Sequence, residues 1–231
     1  MNNFVNNVYV QSDTRVSSVM KRVYLIMTLG LVLTGFLAWF CAHSQAYIEF
    51  IALHSWAMWA MVIAQFAIVI GVSAGINKLS TATALLLFLV FAALNGLWLV
   101  PVFYAYSKVV IAKTFFITAG VFGAMSVYGF CTNRDLSRIG SFLVMALFGL
   151  IIVSLVNIFV HSSGLDWLIS IAGVLIFIGL TAWDTQQMKR IAQVAPDDSL
   201  GRLAVLGALN LYLDFINLFL FLLRIFGNSN D

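Results

Sequence analysis

The chain has 231 residues, of which 62% are hydrophobic and only 9% charged, against about 25% charged in an ordinary soluble domain. That excludes a water-soluble globular protein. The net charge of +3 rests on 12 basic and 9 acidic residues with no long basic run, so it bears on membrane orientation and not on nucleic-acid binding.

Residues 1–22 are polar and lack a short apolar core followed by a small-residue cleavage site, so they read as a retained N-terminal arm and not as a signal peptide. Seven apolar runs bounded by charges and turn residues follow: Val23 to Ala42, Trp56 to Gly75, Ala82 to Tyr104, Thr114 to Cys131, Ile139 to Val160, Trp167 to Trp183, and Leu203 to Phe226. Each is long enough to cross the roughly 30 Å of bilayer hydrocarbon as a helix. None has the period of two, with closely spaced turns, of a barrel strand. The fold class is all-α: one seven-helix transmembrane domain over residues 23–227, with a short tail at 228–231.

Orientation follows from the basic residues. With the N-terminus inside, the inner segments hold Arg15, Lys21, Arg22, Lys78, Arg134, Arg138, Lys189, Arg190 and Arg202, and the outer side holds Lys108, Lys113 and Arg224. The excess places the arm in the cytosol. Seven crossings then place the C-terminus outside. Cys41 falls at the outer end of the first span and Cys131 at the inner end of the fourth, so they cannot pair within one chain and read as small semi-apolar residues. His43, His54 and His161 fall in outer loops at spacings that match no zinc pattern. Gly71 with Gly75, and Ala119 with Gly123, are small-xxx-small pairs that permit close helix approach.

The last third of the chain carries the chemistry. Asp184 closes the sixth run and Asp214 sits near the middle of the seventh. An ionised carboxylate at bilayer depth costs at least about 2.5 kcal/mol on insertion scales, so each must face protein or water. The turn Ala195-Pro196-Asp197-Asp198-Ser199-Leu200-Gly201 separates them almost symmetrically. In an antiparallel hairpin the two carboxylates then lie at similar depth. Facing carboxylates repel and can share a proton, or they can hold a hard cation. Calcium takes about 6 to 8 oxygen ligands and two carboxylates supply at most four, so such a site binds weakly, which suits passage better than storage.

Asn210, Asp214, Asn217, Phe221 and Arg224 recur at spacings of three or four along one face of the seventh helix, which should point into the bundle. Gln65, Asn95 and Asn157 are interhelical hydrogen-bonding groups or parts of a polar interior. After Asp184 the residues Met188, Ile191, Ala192 and Ala195 continue at helical spacing. The sixth helix therefore extends beyond the membrane edge.

These residues resemble the Bax inhibitor (transmembrane Bax inhibitor motif) family. The likeness rests on Trp183-Asp184-Thr185-Gln186, on the Arg134-Asp135-Leu136-Ser137 loop, and above all on Leu211-Tyr212-Leu213-Asp214-Phe215-Ile216-Asn217-Leu218-Phe219-Leu220 ending in Leu223-Arg224-Ile225-Phe226-Gly227. It covers the chain after the polar arm and is nearest the compact bacterial inner-membrane branch. The resemblance implies a C-terminal helix enclosed by the other six. It further implies a pH-sensitive calcium leak controlled by two aspartates on the last two helices, carried onto Asp184 and Asp214; Asn210, Asn217, Arg224 and Lys78 read as supporting polar positions. Calcium enters as a permeant or weakly held ion, no cofactor is implied, and the reading is of a leak and not an enzyme. Two departures stand out: Trp183 replaces a common tyrosine, and Lys78, in Gly75-Ile76-Asn77-Lys78, replaces an arginine that partners the aspartates in some relatives.

Two other classes compete with the leak. A non-transporting regulator would bind another membrane protein or a protease through its spans or its polar arm. An intramembrane aspartyl protease also sets two aspartates on adjacent helices. Here Tyr212 and Leu213 precede Asp214 where such enzymes have a glycine-flanked motif, and no Pro-Ala-Leu element follows.

Overall fold

The computed structural model describes residues 2–227, with side chains from residue 14 onward; Met1 and the tail at 228–231 lie outside the described residues. The polar arm and the first apolar run form one helix, α1 (Asn2–Ala42). A short helix, α2 (Gln45–Leu53), leads to α3 (Trp56–Gly75). Then come α4 (Thr81–Trp98), α5 (Val102–Ala105), α6 (Lys108–Cys131), α7 (Ser137–Val160), α8 (Ser163–Val194) and, after a 3₁₀ turn at Asp197–Ser199, α9 (Leu200–Gly227). No strand occurs among the described residues.

Among the described residues, seven stretches are long and apolar enough to cross a membrane: Thr14–Ala42, α3, α4 with α5, α6, α7, α8, and Asp197–Gly227. Among the described residues, serine hydroxyls start four helices. Ser44, Ser80, Ser107 and Ser162 accept the backbone N–H of Tyr47, Thr83, Val110 and Leu165 at 3.4, 3.1, 3.3 and 3.3 Å, replacing partners that a first helical turn lacks.

Two features depart from the seven apolar runs, and one expected extension is present. The third run, expected as one helix from Ala82 to Tyr104, is broken between Trp98 and Val102, because Pro101 offers no N–H and disfavours helical backbone at Val100. The connection between the first two spans holds α2. The sixth helix runs on to Val194, as the apolar spacing after Asp184 requires.

The described helices form two compact units, residues 2–105 with 188–209, and residues 106–187 with 210–227. In the first, α1 lies along α4. Thr34 donates its hydroxyl to the Ala92 carbonyl at 2.8 Å, and a methyl on Gly96 would lie only 2.7 Å from the Thr34 carbonyl oxygen. The Arg15 guanidinium donates to the Ala195 carbonyl at the end of α8 and lies 3.4 Å from Asp197 Oδ1. A cation thus meets carbonyls that have no helical partner.

In the second unit α6, α7, most of α8 and the second part of α9 pack together. Phe115 and Phe122 of α6 each meet Phe215 edge-on at 5.5 Å. α9 is buried in the bundle: 67% of its apolar stretch is enclosed, against 11% for α3 and for α7. The small-residue pairs expected to bring helices together do not do so within the chain. Gly71 and Gly123 have open space where a side chain would be, and Gly75 has only ordinary contact with Leu79. Cys41 is buried, Cys131 is exposed, and both are free thiols.

Candidate functional site

The site is built on the parts of α8 and α9 that belong to the second unit. Two glycines let neighbouring helices come close to the Thr181–Gln186 turn of α8. Gly129 of α6 lies against the backbone of Ala182, and Gly140 of α7 lies against the Trp183 indole; a side chain at either would overlap its neighbour. Gly173 of α8 makes room for the Phe221 ring of α9, which also stacks on Phe177 at 5.9 Å.

Against this frame Asp184 and Asp214 face one another, with their carboxyl groups within hydrogen-bonding reach. Phe177 with Phe221 and Asp184 with Asp214 are both symmetric in sequence about Ser199, as expected of an antiparallel hairpin that turns there. Asp214 is 3% exposed, and its Oδ2 has no hydrogen-bond partner among the described residues. Asp184 is half-buried. Two such groups in apolar surroundings do not both ionise cheaply: they share a proton, or they take a cation between them.

Other expected site residues lie on the same face of α9. Asn217 is half-buried and donates its amide N–H to the Leu213 carbonyl at 2.8 Å, within its own helix. Asn210 is half-buried. Arg224 is exposed, 4.0 Å from Asp166 Oδ1 of α8 and 5.9 Å over the Phe221 ring. Asp214, Phe221 and Arg224 thus all turn toward α8, as the helical spacing requires. Lys78 belongs to the first unit, exposed in the turn after α3.

In the sequence Gln186 is one letter of the Trp183-Asp184-Thr185-Gln186 motif, yet it has a distinct structural task. Its Oε1 accepts the Leu136 N–H at 2.9 Å and its Nε2 donates to the Arg134 carbonyl at 2.8 Å. It thereby ties the α6–α7 connection to α8 two residues beyond Asp184. Thr185 donates to Ser126 of α6 at 3.4 Å. A buried amide and hydroxyl in an apolar run were the available signal, since each must find partners.

The Trp183 indole N–H is buried without a partner among the described residues, so the ring packs there but supplies no hydrogen bond to the carboxyl pair. Asn157 bridges helices: its amide donates to Asp166 Oδ1 at 2.8 Å and its carbonyl accepts the Ser162 N–H at 3.1 Å. His43, His54 and His161 each place Nδ1 against a nearby backbone carbonyl of their own segment.

The family model described as "Inhibitor of apoptosis-promoting Bax1" matches residues 16–231. Over 222 residues, 95% of each chain, the sequence is 47% identical to the inner membrane protein YbhL of Escherichia coli. It is 45% identical over 214 residues, 92% of each chain, to an uncharacterized protein of Borreliella burgdorferi. An uncharacterized membrane protein of Streptococcus pyogenes is 35% identical over 225 residues, 96% of this chain and 98% of its own.

Proposed function

The chain belongs to the Bax inhibitor family of membrane proteins, and from that premise we propose that it is a calcium leak whose opening is set by the protonation of Asp184 and Asp214. The observation that carries the reading is the carboxyl pair itself, held between the last two helices with one oxygen of Asp214 left unpartnered. A structural role alone needs no second carboxylate there, since an amide bonds across helices without the cost of a charge.

A proton shared by the pair holds α8 and α9 together. Removing it as pH rises leaves two like charges in apolar surroundings, and their repulsion favours the conformation in which the helices part. Among the described residues no group of three or more His, Cys, Asp or Glu side chains gathers to hold a metal. A calcium ion at the pair therefore completes its shell with water or carbonyl oxygens and leaves readily. No step of this activity is enzymatic. The name of the Escherichia coli relative and the excess of basic residues in the even-numbered connections support a bacterial inner-membrane location with the N-terminus in the cytosol.

The test is calcium flux into proteoliposomes as pH is stepped through neutrality. Flux through the wild type rises with pH. Asp214→Asn and Asp184→Asn each abolish the repulsion, so the pH response flattens in both. If both variants fold and keep the wild-type pH profile, the pair is not the sensor.

A further inference from the structure

A groove opens in the first unit where α1 gives way to α3. Tyr47, Ile48 and Ala52 of α2, Met58 of α3, and Pro101 and Tyr104 at the break in the third span are among the residues that form its walls. Its volume is about 530 Å³, within the roughly 300–1,000 Å³ of sites that take one small organic molecule. At its base Val100 packs with Cys41 and Ala42. The groove exists because of the break: a continuous helix through Pro101 would not turn Tyr104 back toward α1.

The chemistry of the walls selects the occupant. No charged side chain lines the groove. Both phenol protons are already donated, from Tyr47 to the Leu97 carbonyl at 2.8 Å and from Tyr104 to the Ala42 carbonyl. A polar ligand would lose its hydration and find little in return. The surroundings point to a source. α2 joins the ends of two spans, has no buried residue, and exposes Ile48, Phe50 and Leu53. Trp56 and Trp59 follow, both exposed, at the level where tryptophan marks the membrane–water boundary. Apolar surface therefore continues from the groove onto the lipid-facing side of α3, of which only 11% is enclosed.

We propose that this groove is a lipid site that holds one acyl chain of a phospholipid from the leaflet at this end of the spans. A chain already in the bilayer gains no hydrophobic free energy on entering, because lipid tails are as apolar as the walls. What retains it is dispersion contact with a preformed, curved surface. Retention therefore depends on shape, and filling the groove with a ring removes it.

The experiment uses the full chain in vesicles of phosphatidylethanolamine and phosphatidylglycerol containing a trace of phosphatidylethanolamine with a diazirine near the end of one acyl chain. After illumination, adducts are mapped by mass spectrometry. Residues on α2 and around Met58 should carry about tenfold more label than the exposed Phe148, Ile152 and Phe159 of α7. Ala52→Trp and Ile48→Trp, each at an exposed position, should remove that excess and leave α7 labelling unchanged. Equal labelling of the two surfaces in the wild type overturns the proposal whatever the variants do. So does an excess that survives both substitutions in folded protein.

Discussion

α7 and α9 are alike in length, 24 and 28 residues, and opposite in surroundings. Only 11% of the apolar stretch of α7 is enclosed, and Phe148, Ile152 and Phe159 stand bare on its surface. α9 carries Asn210, Asp214 and Asn217, yet 67% of its stretch is enclosed. In water the order would be reversed. In a bilayer an exposed isoleucine loses nothing, because the solvent is itself hydrocarbon. A carboxylate facing that solvent costs at least about 2.5 kcal/mol. Polarity therefore decides which helix is wrapped by the others.

The sharpest way to break this comparison lies within one helix, α6, which has both kinds of face. Gly129 touches the Ala182 backbone, whereas Gly123 has open space. Gly129→Leu must push α6 away from α8 and should cost more than about 4 kcal/mol, in the range where folding fails; Gly123→Leu should stay within about 0.5 kcal/mol. The readout is the fraction of monodisperse protein surviving a temperature ramp in detergent. Equal survival of the two variants would show that α6 does not approach α8 as closely as described.

A smaller effect tests the lipid-facing surface itself. Ile152→Asp puts a carboxylate where α7 meets hydrocarbon and should lower insertion by about 2.5 to 3.5 kcal/mol, while Ile152→Leu is neutral. Asp214→Leu should insert normally, since it removes a charge from an enclosed face. The measurement is the membrane-integrated fraction of newly made chain. If Ile152→Asp inserts as well as wild type, that face of α7 is covered by something other than lipid.

Much of this was legible in the sequence because two constraints there are local. Hydrocarbon thickness dictates run length, so the seven spans could be placed. The cost of a buried carboxylate is paid residue by residue, so Asp184 and Asp214 stood out, and one turn between them fixed their relative depth. What was not legible depends on partners far away in the chain. Gly71 and Gly75 have the spacing of a packing motif and touch little, whereas Gly129 and Gly140 have no such spacing and sit against α8. Spacing within a helix says which residues share a face, but not what that face meets. α2 was missed because its apolar run is too short to span, and the break before Pro101 was hidden inside a long apolar run.

The smallest expected effect lies where the two helices are joined. Asp166 of α8 accepts the Asn157 amide of α7 at 2.8 Å and stands 4.0 Å from the guanidinium of Arg224 on α9. The two contacts differ in kind. Asn157 is 6% exposed, so Asn157→Ala strands the Ser162 N–H and should cost about 1–3 kcal/mol at any ionic strength. The side chains of Arg224 and Asp166 are 44% and 51% exposed, and an exposed ion pair contributes only about 0–1 kcal/mol. Arg224→Ala should therefore lower the unfolding temperature slightly in dilute buffer. Most of that difference should vanish in about 1 M salt, where charges are screened over roughly 3 Å. A residue of the effect should persist in salt, because the guanidinium also lies over the Phe221 ring and that contact is short-ranged. If Arg224→Ala instead matches Asn157→Ala in size and ignores salt, then the end of α9 is as enclosed as its middle, and the contrast with α7 extends to the membrane edge.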